Sequence, residues 1–453
     1  MRPKLLLACA VLAAQSAPAA AEVAKPAALT VDGLPVLSDA LADASRPYME
    51  FRTANFLGWN ARDRSMLVST RFANTAQLHR VAAPLGMRRQ ISFEAEPVSG
   101  RWSPDGAQLV VVRDKGGDEF FQLFTLADGQ LKRLTDGKSR NEFGAWSKDG
   151  RLVGYSSTRR NGSDSDLYVV DPRNPASDRL VASVKGGGWN VASFAPGGAK
   201  ALVLNYVSIT DVDPYLLDVA SGKLTAIGDP KRAIAYGGGD FAEDGTFWVT
   251  SDEGGDVQRL GTLDPASGRF RAVTPAGRWD VEEFAISRDA RTIAYATNEA
   301  GVSKLYLLDV ASGASRAVKG VPTGVIGGLD FAPWGALGFT LTSASSPADV
   351  YALDPASLAV TRWTESETGG LDPKRNPEPE LIAVKSFDGE PVSGFLYRPD
   401  SARFPGKRPL IVNIHGGPEG QTRPGFLGRN NYLLNEQGIA IFYPNVRGSS
   451  GYG

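Results

Sequence analysis

The amino-acid sequence predicts an all-β propeller of seven blades, followed by the beginning of a doubly wound α/β sheet. An aromatic residue followed by a turn sequence recurs about every 45 residues through the middle of the chain. The 51 glycines and 29 prolines among 453 residues favour short strands and tight turns over helical bundles. After the repeats, a short apolar run leads directly into His415, Gly416 and Gly417, as expected for a buried strand that enters a sharp loop.

The first 21 residues have the features of a signal peptide. A basic start, an apolar run at residues 5–14 and small residues at 19–21 precede a cleavage point before Glu22. The one cysteine, Cys9, lies inside this segment. We therefore expect export to the periplasm or the exterior, and a mature chain without disulfides.

Residues 22–50 form an N-terminal segment that precedes the repeats. Within it, residues 37–49 have helix-like composition, with Ser38 and Asp39 suited to the helix start. We expect this helix to pack away from the blades, against whatever follows them in the chain.

Seven copies of one unit place the propeller at residues 51–368. The clearest copies are Trp-Ser-Pro-Asp-Gly at 102–106 and Trp-Ser-Lys-Asp-Gly at 146–150, and weaker copies begin at Trp59, Phe194, Phe241, Ile286 and Phe331. A second marker, an Asp followed three residues later by Ser-Gly, keeps the same phase. Both markers supply residues for turns with positive φ, and a four-stranded blade needs about this length. We expect each aromatic residue to pack between blades and each Asp to bind turn amides.

Several polar groups in the propeller have both a functional and a structural interpretation. Glu282 and Glu283 could anchor a substrate amino group, but a solvated strand face is the expectation. His79, in a strand of the first unit, is expected at the surface. Residues 164–166 and 211–213 resemble parts of calcium loops but lack the Gly and the distal Glu of a complete loop, so they predict turns.

Composition excludes several classes of function. A net charge of −1 gives no electrostatic basis for binding nucleic acid. The sequence has neither Cys/His zinc spacing nor a Gly-x-x-x-x-Gly-Lys phosphate loop, so it implies no metal and no organic cofactor. No run of ~20 apolar residues is present, so no membrane span is predicted. Oligomeric state stays open.

Residues 369–380, rich in Pro, Gly and charge, predict a linker to the N-terminal part of an α/β domain at residues 381–453. The predicted elements are a hairpin of residues 381–387 and 391–397 around Asp388-Gly389, a strand at 410–414, a helix near 432–434 closed by Gly438, and a strand at 439–443. The spacing of the last three elements favours a βαβ crossover between parallel strands.

These features together resemble the prolyl oligopeptidase family of serine peptidases. The resemblance rests on the repeats, the hairpin, His-Gly-Gly-Pro at residues 415–418 and Asn-Val-Arg-Gly-Ser-Ser-Gly-Tyr at 445–452, in this order. It covers nearly the whole chain after residue 21 and is closest to the acylaminoacyl-peptidase and dipeptidyl-peptidase-like members. The repeats alone are weak evidence, because TolB-like binding proteins share them.

The resemblance implies an α/β-hydrolase domain that cleaves short peptides through a Ser-His-Asp triad, with the propeller capping the site. The oxyanion loop would be His415, Gly416 and Gly417, with the Gly417 N–H as donor beside the N–H after the nucleophilic Ser. Arg447 matches a family Arg, and both a contact to substrate and a structural tie of its loop remain open for it.

The sequence departs from the family at the triad. No Gly-x-Ser-x-Gly occurs among the 453 residues, and the two histidines are His79 and His415. His415 belongs to the oxyanion loop, whereas the triad His comes last in the chain order of these hydrolases. No catalytic residue is therefore assigned, and we expect a truncated, inactive fragment lacking on the order of 200 residues, with exposed apolar surface in residues 381–453.

Two other classes of function stay open at this point. One is a TolB-like propeller that binds protein partners and carries a vestigial hydrolase start. The other is a non-peptidase α/β hydrolase, such as an esterase, with a propeller lid.

Overall fold

The structure, a computed structural model, describes residues 22–417 and 419–453. The predicted signal peptide, Cys9 and Pro418 lie outside the described residues. No helix within the described part of the chain is long and apolar enough to cross a membrane.

Seven four-stranded antiparallel sheets follow one another along the chain and form the predicted blades. Blades 1 to 4 comprise β1 Asn55–Trp59, β2 Met66–Thr70, β3 Gln77–Val81 and β4 Arg88–Gln90; β5 Ser99–Trp102, β6 Leu109–Arg113, β7 Gln122–Ala127 and β8 Gln130–Arg133; β9 Asn141–Trp146, β10 Val153–Ser157, β11 Asp166–Asp171 and β12 Asn174–Ala182; β13 Trp189–Phe194, β14 Lys200–Ser208, β15 Asp211–Asp218 and β16 Leu224–Ala226. Blades 5 to 7 comprise β17 Tyr236–Phe241, β18 Phe247–Ser251, β19 Arg259–Leu263 and β20 Phe270–Ala272; β21 Val281–Ile286, β22 Thr292–Glu299, β23 Val302–Asp309 and β24 Ser315–Ala317; β25 Val325–Phe331, β26 Leu337–Ser343, β27 Ser346–Leu353 and β28 Val360–Arg362.

The repeated turn sequence closes each first hairpin through its own side chains. In blade 2, the Ser103 hydroxyl donates to Asp105 at 2.6 Å, and the backbone N–H of Ala107 donates to the same carboxylate oxygen at 3.0 Å. Gly106 follows with φ +68°, in the region that favours glycine. Trp102 packs on Leu67 and its neighbours of blade 1. The predicted roles of the Asp and of the aromatic residue are confirmed in this unit.

The ring closes by packing, since no strand is shared between blade 1 and blade 7. Trp59, only 6% exposed, makes edge contacts with Trp334 and Trp363 at centroid distances of 5.2 and 5.3 Å. Backbone bonds add to this seam, with Arg52 N–H donating to the Glu367 carbonyl at 2.8 Å.

The N-terminal helix forms as predicted. Helix α1, Asp39–Ser45, begins after Ser38, whose side chain accepts from the Leu41 N–H, and a 3₁₀ turn continues it at Arg46–Tyr48. Tyr48 is buried and contacts Tyr432 at a centroid distance of 5.5 Å, so the segment packs against the C-terminal sheet as expected.

An eighth sheet follows the propeller, after a short 3₁₀ turn at Pro373–Arg375. It consists of β29 Glu380–Lys385, β30 Pro391–Tyr397, β31 Leu410–Val412 and β32 Ala440–Asn445, with helix α2, Asn430–Asn435, before β32. The order is β29-β30-β32-β31, and β31 is parallel to β32. The hairpin, the helix and the parallel pair predicted from residues 381–443 are thus confirmed.

Both outer strands of this sheet expose apolar side chains. Leu410, Ile411 and Val412 of β31 are 53%, 39% and 54% exposed, and Leu381 of β29 is 48% exposed. The core of the sheet instead lies under β30 and β32, where Val302 of blade 6 packs against the buried residues Phe395, Tyr397, Leu434, Ile441 and Tyr443.

Candidate active site

The predicted oxyanion loop leaves the carboxyl end of β31. The Asn413 N–H donates to the Phe442 carbonyl at 2.9 Å, which extends the pairing of β31 with β32 by one residue. His415, Gly416 and Gly417 then turn away from the sheet. Gly417 has φ +134°, and a Cβ there would lie 2.5 Å from the Glu419 nitrogen. Only glycine therefore fits this position without moving the backbone.

His415 is held by a serine that sequence reasoning did not assign. Its Nε2 lies 2.9 Å from the Ser449 hydroxyl oxygen, and its Nδ1 lies 2.9 Å from the Gly416 carbonyl. The Ser449 hydroxyl donates to the Val446 carbonyl at 2.6 Å. The Ser449 hydroxyl is thus within hydrogen-bond distance of both His415 and the Val446 carbonyl. These contacts join the oxyanion loop to the loop after β32.

The loop after β32 is fixed from both sides. Asn445, 2% exposed, accepts from the Thr422 N–H at 2.8 Å and donates to the Thr422 carbonyl at 3.0 Å. Tyr452 contacts Ser393 of β30 through a hydroxyl pair at 2.6 Å. Asn445 and Tyr452 are the first and last residues of the sequence at 445–452 that resembles the family. Both hold this loop in place beside the oxyanion loop.

Arg447 lies in the same loop and binds the β29–β30 hairpin. Its guanidinium pairs with Asp388 at 2.6 Å and lies over the Phe387 ring at 5.7 Å. The side chain is 47% exposed. These contacts tie the loop after β32 to the β29–β30 hairpin. The Arg447 side chain also lines an open cavity.

That cavity, of about 890 Å³, lies between blades 5 and 6 and the C-terminal sheet. Tyr452 and Trp279 meet there at a centroid distance of 6.0 Å. Arg278, with its guanidinium over the Trp279 ring at 4.8 Å, adds a second cation beside Arg447. Gly417 is not part of its lining, so the cavity is adjacent to the oxyanion loop and does not contain it.

A second cavity, of about 470 Å³, lies in the propeller channel among the inner strands and the repeated turns. Its lining carries charges of both signs. Desolvation raises the pKa of Asp330 to about 6, although a hydrogen bond from the Trp59 backbone N–H and the charge of Arg101 lower this pKa. Desolvation also raises the pKa of Glu283, which accepts from the Gly328 and Leu329 N–H groups.

One sequence expectation is corrected here. His79 is fully buried, not at the surface, and Phe72 packs on its ring at 4.8 Å. Burial lowers the pKa of His79. Glu282 lies on an exposed strand face, as expected, and there it pairs with Arg423 of the C-terminal segment at 2.8 Å. This pairing had no local signal, since the two residues are 141 positions apart.

The acidic turns bind arginine or backbone. Asp164 and Asp166 both accept from Arg160, at 2.8 and 2.6 Å. Among the residues that the structure describes, no group of three or more His, Cys, Asp or Glu side chains could hold a metal ion.

Known proteins similar to this chain include peptidases. The chain is 28% identical over 386 residues to dipeptidyl aminopeptidase BIII of Pseudoxanthomonas mexicana, covering 78% of this chain and 52% of that protein. It is 22% identical over 371 residues to dipeptidyl-peptidase 5 of Porphyromonas gingivalis, covering 78% of this chain and 52% of that protein. The chain thus spans about half the length of these curated relatives. No family model matches the sequence.

Solved structures show the same fold. A prolyl endopeptidase structure superimposes with a TM-score of 0.75 at 15% identity, covering 91% of this chain and 64% of that one. Puromycin hydrolase superimposes with a TM-score of 0.71 at 18% identity, covering 90% and 68%.

The fold and the loop after β31 define a seven-bladed propeller joined to a sheet of the α/β-hydrolase type. The curated relatives extend this likeness from the fold to the sequence. The chain is similar to peptidases of the prolyl oligopeptidase family.

Proposed function

We propose that this chain forms the propeller and the oxyanion-loop side of a peptidase that cleaves short peptides through an acyl-enzyme. The observation that carries the proposal is the loop of His415, Gly416 and Gly417 at the carboxyl end of β31, with Gly417 in a backbone conformation reserved for glycine. Such a loop presents a fixed N–H group to the oxyanion of an acyl-transfer intermediate. One such donor contributes about 10²–10³ to the rate.

The relatives and the propeller above the site support short peptides as the substrate class. The relatives that match most of the chain are named as dipeptidyl peptidases, which favours release of dipeptides over internal cleavage. A propeller above the sheet supports a preference for short peptides, because folded chains cannot enter the space between them. The reaction needs side chains and backbone amides alone, so the proposal includes no cofactor.

The nucleophile is not assigned to any of these 453 residues. No Gly-x-Ser-x-Gly occurs in the sequence. We infer that these 453 residues alone neither turn over peptides nor react with serine-directed phosphonates.

The test is an activity assay on the protein expressed from its own gene, with the 453-residue chain assayed in parallel. Dipeptidyl, aminoacyl and acylaminoacyl chromogenic substrates would be compared, with and without a serine-directed phosphonate. We expect the protein expressed from its own gene to release dipeptides from the substrate, and the phosphonate to inhibit this release. The 453-residue chain alone should release none. Absence of turnover on every substrate by the expressed protein would favour the TolB-like binding alternative.

Export is a separate proposal that rests on residues 1–21. N-terminal sequencing of the protein recovered from the periplasm or the medium should begin at Glu22. Recovery of an intact Met1 from the cytoplasm would contradict it.

A further inference from the structure

We propose that blade 6 positions the oxyanion loop through Arg423, which makes Arg423 and Glu282 positioning residues for the reaction. This inference rests on the proposed function, because it concerns the loop that contains Gly417. Arg423 lies six residues after Gly417, in the segment that leaves the loop and crosses to the propeller.

The guanidinium of Arg423 is bound on every side by blade 6. Its Nη1 donates to both carboxylate oxygens of Glu282, at 3.0 and 2.8 Å. Its Nε donates to the Gly301 carbonyl at 2.9 Å, and its Nη2 donates to the Ser303 hydroxyl at 2.9 Å. The arginine and glutamate side chains are 20% and 30% exposed, so the pair is shielded from most solvent. A planar guanidinium with this many partners has one orientation.

A buried asparagine extends the contact toward the oxyanion loop. Asn298, 1% exposed, donates to Glu282 at 2.7 Å and to Gln421 at 2.6 Å, and accepts from the Gly301 N–H at 2.7 Å. Asn298 therefore binds both Gln421 and Glu282, the carboxylate that holds Arg423.

The same segment is also bound to the C-terminal sheet. Thr422, between Gln421 and Arg423, is held by the paired bonds of Asn445, and the Gly420 carbonyl accepts from the Ser450 N–H at 3.0 Å. Residues 420–423 are thus clamped between the propeller and the sheet. Because only two residues separate Gly417 from Gly420, movement of this clamp is transmitted to the oxyanion loop.

The pair acts through the loop, and neither member is a catalytic residue. Four of the five N–H donors of Arg423 bind blade 6, so its role is to hold the segment in place. A displacement of about 1 Å in a positioning element can cost ~10²-fold in rate. Loss of the pair should therefore lower kcat by about 10- to 10²-fold and leave KM within about twofold.

The first test measures the loop itself and does not require activity. Hydrogen–deuterium exchange of the full 453-residue chain would follow peptides covering residues 413–422 in the wild type, Glu282→Gln and Arg423→Ala. Glu282→Gln keeps the side-chain shape and removes the charge. We expect exchange of these peptides to accelerate at least tenfold in both variants.

The control breaks an ion pair between the linker and the residue that follows helix α2. Arg375 pairs with Glu436 at 2.9 Å and contacts neither blade 6 nor the oxyanion loop. Arg375→Gln should leave exchange at 413–422 unchanged. Equal acceleration in Arg375→Gln and Glu282→Gln, or unchanged exchange in both Glu282→Gln and Arg423→Ala, would overturn the inference.

The second test uses the charge reversal Glu282→Arg with Arg423→Glu in the expressed protein. We expect each single variant to lose kcat with KM retained, and the double variant to recover at least part of kcat. An absence of wild-type turnover would count against the proposed function, whereas the exchange result would still decide the inference.

Discussion

The anchor between the N-terminal segment and helix α2 should depend on pH through a single carboxylate. Glu436 accepts from Tyr48 at 2.5 Å, from Arg403 at 2.7 Å and from Arg375 at 2.9 Å. Burial alone would raise the pKa of Glu436, but hydrogen bonds from Arg403, Tyr48 and Arg375 outweigh it and hold the pKa at about 2. Burial, together with the hydrogen bond to Glu436, raises the pKa of Tyr48 to about 12.

The sign and size of the effect follow from the depressed pKa. A carboxylate with a lower pKa in the folded state stabilises that state at pH values above its unfolded pKa of ~4.3 and loses this contribution as the pH falls toward 2. The full shift corresponds to an upper limit of about 3 kcal/mol. Since the side chain is 27% exposed, screening reduces the expected contribution to about 1–2 kcal/mol.

The assay is urea unfolding of the wild type and Glu436→Gln, between pH 7 and pH 3.5. We expect the variant to be less stable by about 1–2 kcal/mol at pH 7 and the difference to shrink steadily below pH 4.5. The matched control is Glu380→Gln, whose partner Arg398 and own side chain are 61% and 52% exposed, and which should cost under ~0.5 kcal/mol. A difference for Glu436→Gln that stays constant from pH 7 to pH 3.5 would mean that the Glu436 carboxylate does not stabilise the fold through a lowered pKa.

Two further predictions concern the contact between blades 1 and 7 and the contact between His415 and Ser449. Trp59→Ala should lower the free energy of unfolding by about 3–5 kcal/mol, because it empties a buried site between blades 1 and 7, which share no strand. Urea unfolding measures this loss, and a loss below ~1 kcal/mol would mean that other residues hold the two blades together. Ser449→Ala should leave phosphonate labelling of the expressed protein intact and lower kcat less than tenfold, because Ser449 only ties the loop through His415. Abolished labelling in that variant would identify Ser449 as the nucleophile.

The blades could be predicted from sequence because their signals are local and repeated. A turn such as Ser103 to Ala107 is closed by residues within five positions of each other, so its side chains appear together in the sequence. The parallel pair of β31 and β32 was predictable for a similar reason, since an apolar run, a helix and a second apolar run follow in order.

The contacts between the propeller and the C-terminal sheet could not be predicted in this way. Glu282 and Arg423 are 141 residues apart, and neither has a neighbour in sequence that indicates a partner. The surface position expected for His79 was wrong. A polar residue in an alternating strand suggests a side chain that faces solvent, whereas the aromatic ring of Phe72 covers His79. Contacts that depend on the packing of whole blades leave no local pattern.

The proposed stabilisation of an oxyanion by the loop of Gly417 can be tested by comparing the kinetics of Gly417→Ala and Gly416→Ala in the expressed protein. A Cβ at Gly416 meets no atom within 4 Å, whereas a Cβ at Gly417 clashes with the Glu419 backbone at a φ of +134°. We expect kcat to fall by about 10²–10³ in Gly417→Ala with KM nearly unchanged, and to fall much less in Gly416→Ala. A kcat of Gly417→Ala within threefold of the wild type would mean that this loop does not stabilise the oxyanion.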